Sequence, residues 1–126
     1  MVKATLVEED KTAGRKFLQR ADEEALDIRA ALWVYREEGE YWWLVLASPI
    51  VDQFGKQEMY SRIYQIWSKE RDLDWSRITV VRTDDKLIRR ISEQVHTGDE
   101  IKGFWFQGGY LTDLYVDECY IYRMNL

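Results

Sequence analysis

Cysteine, histidine and proline each occur once among the 126 residues, as Cys119, His96 and Pro49, and glycine occurs seven times. One cysteine excludes an internal disulfide and every multi-cysteine metal knuckle, and one histidine excludes two-histidine metal sites. A Cys119–His96 dyad would need a strand centre to meet a helix end, and the acidic neighbours Asp117 and Glu118 do not favour a reactive thiolate. Neither GxxxxGK[ST] nor GxGxxG occurs, so no standard phosphate-cradling loop is expected. No apolar run approaches the roughly 18 residues that a transmembrane helix needs. The acidic run Glu8-Glu9-Asp10 comes too early for a leader's apolar stretch. These absences leave no catalytic residue, metal ligand or cofactor to assign, exclude the membrane as a partner and point to a cytoplasmic setting.

Charge is present in both signs and spread evenly. Eighteen basic and 23 acidic residues give a net charge of −5. Residues 1–63 hold nine basic and twelve acidic groups, and residues 64–126 hold nine and eleven. The densest basic cluster is Lys86, Arg89 and Arg90 with Arg82, too small to act against the overall field, which argues against nucleic-acid coating. A mass of 15.2 kDa, without repeats, linkers or low-complexity tracts, reads as one domain over residues 1–126.

Periodicity then supplies the elements. Ala13, Phe17, Ala21 and Ala25 recur every four residues and predict a helix over 8–26. Strands follow over 28–35 and 41–47 around the turn Arg36-Glu37-Glu38-Gly39-Glu40. In the second strand Tyr41, Trp43 and Val45 point one way while Trp42, Leu44 and Leu46 point the other. A strand apolar on both faces must be covered on both. Ser48-Pro49 ends it, and a connection through Asp52 and Gly55 leads to a helix over 56–71. A strand over 77–82 precedes Thr83-Asp84-Asp85, a capping sequence for a helix closed by Gly98. Strands over 101–107 and 114–124 flank a turn at 108–113. The order α-β-β-α-β-α-β-β predicts an α+β domain with a mixed, mostly antiparallel five-stranded sheet.

What the chain has in abundance is aromatic residues: six Trp, eight Tyr and four Phe. Trp42 and Trp43 place large rings on both sheet faces. If helices cover one face only, the other offers Trp and Tyr ringed by charge, the composition of a protein interface. Trp42, Trp43, Tyr60, Trp67, Trp105, Tyr120 and Tyr122 are the candidate binding residues. The expected function is a non-enzymatic interaction domain that associates with itself or with a protein partner through an aromatic-rich sheet face.

Two alternatives remain at this point. One is a metal-dependent phosphodiesterase or nuclease built on Asp84, Asp85, Glu100 and Lys102. Glu100-Ile101-Lys102 is similar to the Glu-x-Lys element of PD-(D/E)xK magnesium-dependent nucleases, where carboxylates hold a cation and lysine activates water. The preceding acids lie across a predicted helix, which departs from that order; capping and solvation explain the same residues. The other alternative is a small-molecule pocket lined by Trp43, Tyr60 and Trp67. Residues 29–35, the run Trp43-Leu44-Val45-Leu46-Ala47-Ser48-Pro49 and the pair Val51-Asp52 also resemble short uncharacterised bacterial α+β proteins. That resemblance spans roughly residues 8–70 and implies a bacterial, cytoplasmic setting without implying an activity. Ser48, Asp52 and Tyr60 lie where the second strand hands over to the second helix, a common place for function.

Overall fold

The computed structural model describes residues 5–36, 41–111 and 114–126. Helix α1 (Glu8–Glu23) leads into β1 (Ala30–Arg36) and β2 (Tyr41–Ala47). Helices α2 (Pro49–Phe54) and α3 (Lys56–Trp67) and a 3₁₀ turn (Trp75–Arg77) then precede β3 (Ile78–Val81). Helix α4 (Lys86–Ser92) and the strands β4 (Phe104–Leu111) and β5 (Leu114–Met124) complete the chain. The sheet order is β3-β2-β1-β5-β4. Among the described residues only β2 and β3 pair in parallel; the other three pairings are antiparallel. The parallel pair needs a crossover, which α2 and α3 provide. The fold is therefore the expected α+β domain with a mixed, mostly antiparallel five-stranded sheet.

Local chemistry explains where boundaries differ from expectation. Pro49 ends β2 but also begins α2, because proline at the first helical position gives up an N–H that has no partner there. The Ser48 hydroxyl caps that helix, accepting from the Ile50 N–H at 3.1 Å and donating to the Leu26 carbonyl at 3.0 Å. Gly55, at φ 90°, separates α2 from α3. Helix α1 stops at Glu23 through a double hydrogen-bonded C-cap: the Leu26 N–H reaches the Ala21 carbonyl and the Ala25 N–H reaches that of Asp22, both at 3.1 Å. Asp85 caps α4 through the N–H groups of Leu87 and Ile88. That helix ends at Ser92 rather than near Gly98, which leaves His96 exposed in the following loop. Gly108 and Gly109 lie within β4, not in a turn, and Gly109 pairs with Val116. Of the expected turns at 36–40 and 108–113, residues 37–40 and 112–113 lie outside the described residues.

Helices cover both faces of the sheet. On one, Ala31, Trp33, Trp42, Leu44, Leu46, Ile78 and Val80 pack against Phe17, Leu18 and Ala21 of α1 and Met59 and Ile63 of α3. On the other, Leu32, Val45, Cys119, Ile121 and Met124 pack against Ile88 and Ile91 of the short α4. Trp42 and Trp43 do face opposite ways. Each fully buried Leu or Ile contributes about 1.5–3 kcal/mol, so β1 and β2, apolar on both faces, contribute to both cores.

The alternation expected along β5 fails at its end. A bulge opposite Ala31 and Leu32 inserts one residue, so Ala31 pairs with Arg123 while Leu32 pairs with Ile121. Tyr122 and Arg123 consequently both serve the α1 face, and Met124 joins Cys119 and Ile121 on the other. Arg123, only 4% exposed, forks onto Asp22 of α1 at 3.0 and 2.7 Å and donates to the Ile28 carbonyl at 2.9 Å. The Tyr122 hydroxyl accepts from the Trp33 indole at 2.9 Å and donates to the Lys11 carbonyl at 2.6 Å.

Candidate functional site

The seven candidate aromatics fall into three places. Trp42 and Tyr122 are buried on the α1 face and are framework. Tyr60 and Trp67 belong to α3. Trp67 donates its indole N–H to the Leu73 carbonyl at 2.7 Å and stacks with Tyr64 and Trp75, which closes the connection from α3 to β3. Trp43 lies on the opposite face, 5.1 Å from Tyr41 between ring centres. Trp43, Tyr60 and Trp67 therefore do not line one pocket.

Trp105 and Tyr120 form the third place, on β4 and its neighbour β5. Trp105 stands directly opposite Tyr120 in the ladder, with ring centres 5.2 Å apart, and rests edge-on against Trp42 at 5.8 Å. Beneath them Trp42 meets Tyr35 at 5.4 Å. Lys11 reaches across from α1 and sets its ammonium 4.9 Å from the Trp105 ring centre and 5.0 Å from that of Tyr120. Trp105 is nevertheless 43% exposed, among the most exposed large apolar side chains described. On the opposite side of the same strand, Phe104 and Phe106 are half-buried against the α4 core. The strand is thus aromatic on both faces, and the exposed Trp105 ring is held by Trp42, Tyr120 and Lys11.

The two edges of the sheet are treated differently. Strand β3 is four residues long, and the Tyr60 hydroxyl occupies its outer backbone by donating to the Ile78 carbonyl (3.4 Å) and accepting from the Val80 N–H (3.2 Å). Arg77 and Arg82 flank it. This is a short, capped and charged edge, the usual defence against unwanted strand pairing. Strand β4 is eight residues long, contains neither charge nor proline, and has no strand on its outer side among the described residues. Every second backbone donor and acceptor of the strand therefore points away from β5, on the side where no strand pairs with it among the described residues.

The start of β4 is fixed by a close approach that spacing did not reveal. Arg15 of α1 donates to the carbonyls of Ile101, at 3.2 Å, and Lys102. Gly103, at φ 110°, lies where a β-carbon would come within 2.6 Å of the Tyr120 hydroxyl and 2.7 Å of Arg15 Nη2. Only glycine lets the chain enter β4 under this clamp.

The acidic set is scattered. Asp84 pairs with Arg82 at 3.0 Å, Asp85 caps α4, and Glu100 pairs with Lys102 at 3.6 Å. Among the described residues no three His, Cys, Asp or Glu side chains gather as a metal site. Asp52 binds the Thr83 N–H at 2.8 Å and also accepts from the Thr83 hydroxyl, tying α2 to the loop before α4. The hydroxyl bond holds its carboxyl below the usual range, with Arg82 and Arg89 adding to the effect. Cys119 is fully buried beneath α4. A wide cleft of about 680 Å³ opens between the end of α1 and the C-terminal tail. Two of its carboxylates are already engaged, Asp22 by Arg123 and Asp27 by Arg29. No helix among the described residues is long and apolar enough to cross a membrane. No family model matches this chain, and neither curated proteins nor solved structures yield a match.

Proposed function

We propose that this chain is a non-enzymatic, cytoplasmic interaction domain whose working surface is the β4 edge, with Trp105 as its anchor. One observation carries the reading: a long, uncharged, aromatic edge strand is left open, while the other edge of the same sheet is short and capped. An open edge adds a strand from another chain through backbone hydrogen bonds, and the neighbouring side chains select the partner. Trp105, stacked on Trp42 and Tyr120, loses little freedom on binding, as suits an anchor.

Native mass spectrometry of protein gently purified from its own host tests this. The wild type should run as an integer multiple of 15.2 kDa or with an additional chain, and Trp105→Ser should run at the monomer mass. A bare wild-type monomer, or an assembly that Trp105→Ser leaves intact, overturns the reading.

A further inference from the structure

We infer that the strand received by β4 is β4 of a second copy, paired antiparallel about a two-fold axis so that the two sheets become one of ten strands. The inference rests on the β4 edge being the working surface and names its occupant.

Symmetry restricts the register. Along an antiparallel pair, hydrogen-bonded and non-hydrogen-bonded residue pairs alternate, and a two-fold axis cannot exchange one kind for the other. The axis must therefore pass through a pair in which a residue faces its own copy. For Phe104–Leu111 the greatest overlap of the strand with itself puts either Gln107 or Gly108 at that point.

Side-chain size selects Gln107. Around it the strand reads Phe104-Trp105-Phe106 on one side and Gly108-Gly109-Tyr110 on the other. With Gln107 on the axis, Trp105 lies opposite Gly109 of the partner subunit, and Phe106 lies opposite Gly108 of the partner subunit. Phe104 lies at the register position of Tyr110 of the partner subunit, the kind of aromatic cross-strand pair that stabilises a ladder. Directly opposed residues share a sheet face, so the exposed Trp105 ring covers the bare backbone of a glycine on the α1 side. Phe106 does the same on the α4 side. Centring on Gly108 would instead set Gln107 opposite Gly109 of the partner subunit and leave neither Trp105 nor Phe106 facing a glycine. The bulky-then-bare pattern is complementary to its own reversal, a property that selects a second copy over an unrelated strand.

Charge agrees. At a net charge of −5 two copies repel one another, but no charged side chain lies anywhere in β4, so the axis passes through an uncharged stretch of the chain, residues 103–112. The gain on pairing is confined to one strand and its rings. Such an interface falls in the small class, below about 1,200 Å², and forms a reversible dimer.

Sedimentation velocity on the full chain, from about 5 to about 500 µM as a small interface requires, should show a monomer–dimer equilibrium. Gly109→Val fills the notch meant for Trp105 and should weaken the dimer at least about tenfold. It should not lower the melting temperature, since valine suits a strand better than glycine. Gln107→Cys gives a second readout should Gly109→Val fail to fold. Mild oxidation should join two chains through residue 107, because a self-facing pair lies within disulfide reach. Lys102→Cys, roughly 30 Å from its own copy at strand spacing, should give no more cross-link than the wild type, whose cysteine is buried.

A wild type monomeric throughout the range, a dimer indifferent to Gly109→Val, or cross-linking no stronger at 107 than at 102 overturns the inference. If the wild type alone stays monomeric while the host-purified protein carries a different chain that Trp105→Ser releases, the second copy is wrong and the β4 surface stands. If Trp105→Ser changes no association at all, the surface itself falls.

Discussion

Gly14 shows how a residue that weakens local structure can be required by the whole. In the middle of α1 it costs about 1 kcal/mol of helix propensity relative to alanine. The structure supplies the reason. A β-carbon at Gly14 would overlap the Tyr122 hydroxyl and lie 2.9 Å from its Cζ. That hydroxyl is the shared partner of the Trp33 indole and the Lys11 carbonyl, and it is buried deeply enough that its pKa is driven well above the usual tyrosine value. The bare helix surface at Gly14 lets α1 settle onto the sheet with this network intact. Gly14→Ala should therefore destabilise by about 1–3 kcal/mol, the range of overpacking, despite the better helix former. A urea unfolding curve with an unchanged slope and a lower midpoint would show it. A higher midpoint would mean that Tyr122 can move aside freely.

At the scale of elements, what could be read was whatever a period or a cap encodes. The two-sided strands Ala30–Arg36 and Tyr41–Ala47, the stripe of α1 and the Asp85 cap all follow from side-chain spacing and chemistry. What spacing does not encode is one extra residue in a ladder. The bulge at Tyr122 reverses the side on which Arg123 and Met124 lie, and no local signal in Cys119–Leu126 marks it. The candidate site was half legible. Trp105 and Tyr120 could be chosen as aromatic strand residues, whereas the openness of β4 depends on strand order, which no single segment specifies. Asp52 could be singled out at the end of β2, but its partner Thr83 lies 31 residues away. That pair gives a pH prediction with a definite sign. The folded pKa of Asp52 lies below its ordinary value of 3.8, chiefly through the Thr83 hydroxyl. Its contribution is fully present above about pH 4 and is lost as pH falls through the depressed folded value. Thr83→Ala should cost about 1 kcal/mol at neutral pH, the low end for a charged acceptor because solvent screens the bond. The cost should shrink toward zero in acid. Melting temperatures of both proteins from pH 7 down to about 2 would decide, and a constant offset would show that Thr83 acts only by packing.

For the whole molecule the central question is whether its two cores are one cooperative unit. The α1 and α3 side is large, and the α4 side rests on a seven-residue helix. Both are built on the same strands: Ala30, Ala31, Leu32 and Trp33 are consecutive, at most 1% exposed, and alternate between the two. A sheet shared in this way cannot lose one layer without exposing the strands that hold the other, so opening should be global. Cys119 can report on this, because it is fully buried in the α4-side core, while Gly14 belongs to the α1 side. Where the chain recloses faster than a thiol reagent reacts, the labelling rate measures the free energy of the opening that exposes the sulfur. Under native conditions Cys119 should label at least about a thousandfold more slowly than in urea, given ordinary domain stability. The more searching comparison is between faces. If opening is global, Gly14→Ala should accelerate labelling of Cys119 by the full factor that its loss of stability implies, roughly 5-fold for 1 kcal/mol and 150-fold for 3. If α4 lifts away alone, the substitution will leave the rate unchanged, and β1 will have failed to join the two layers.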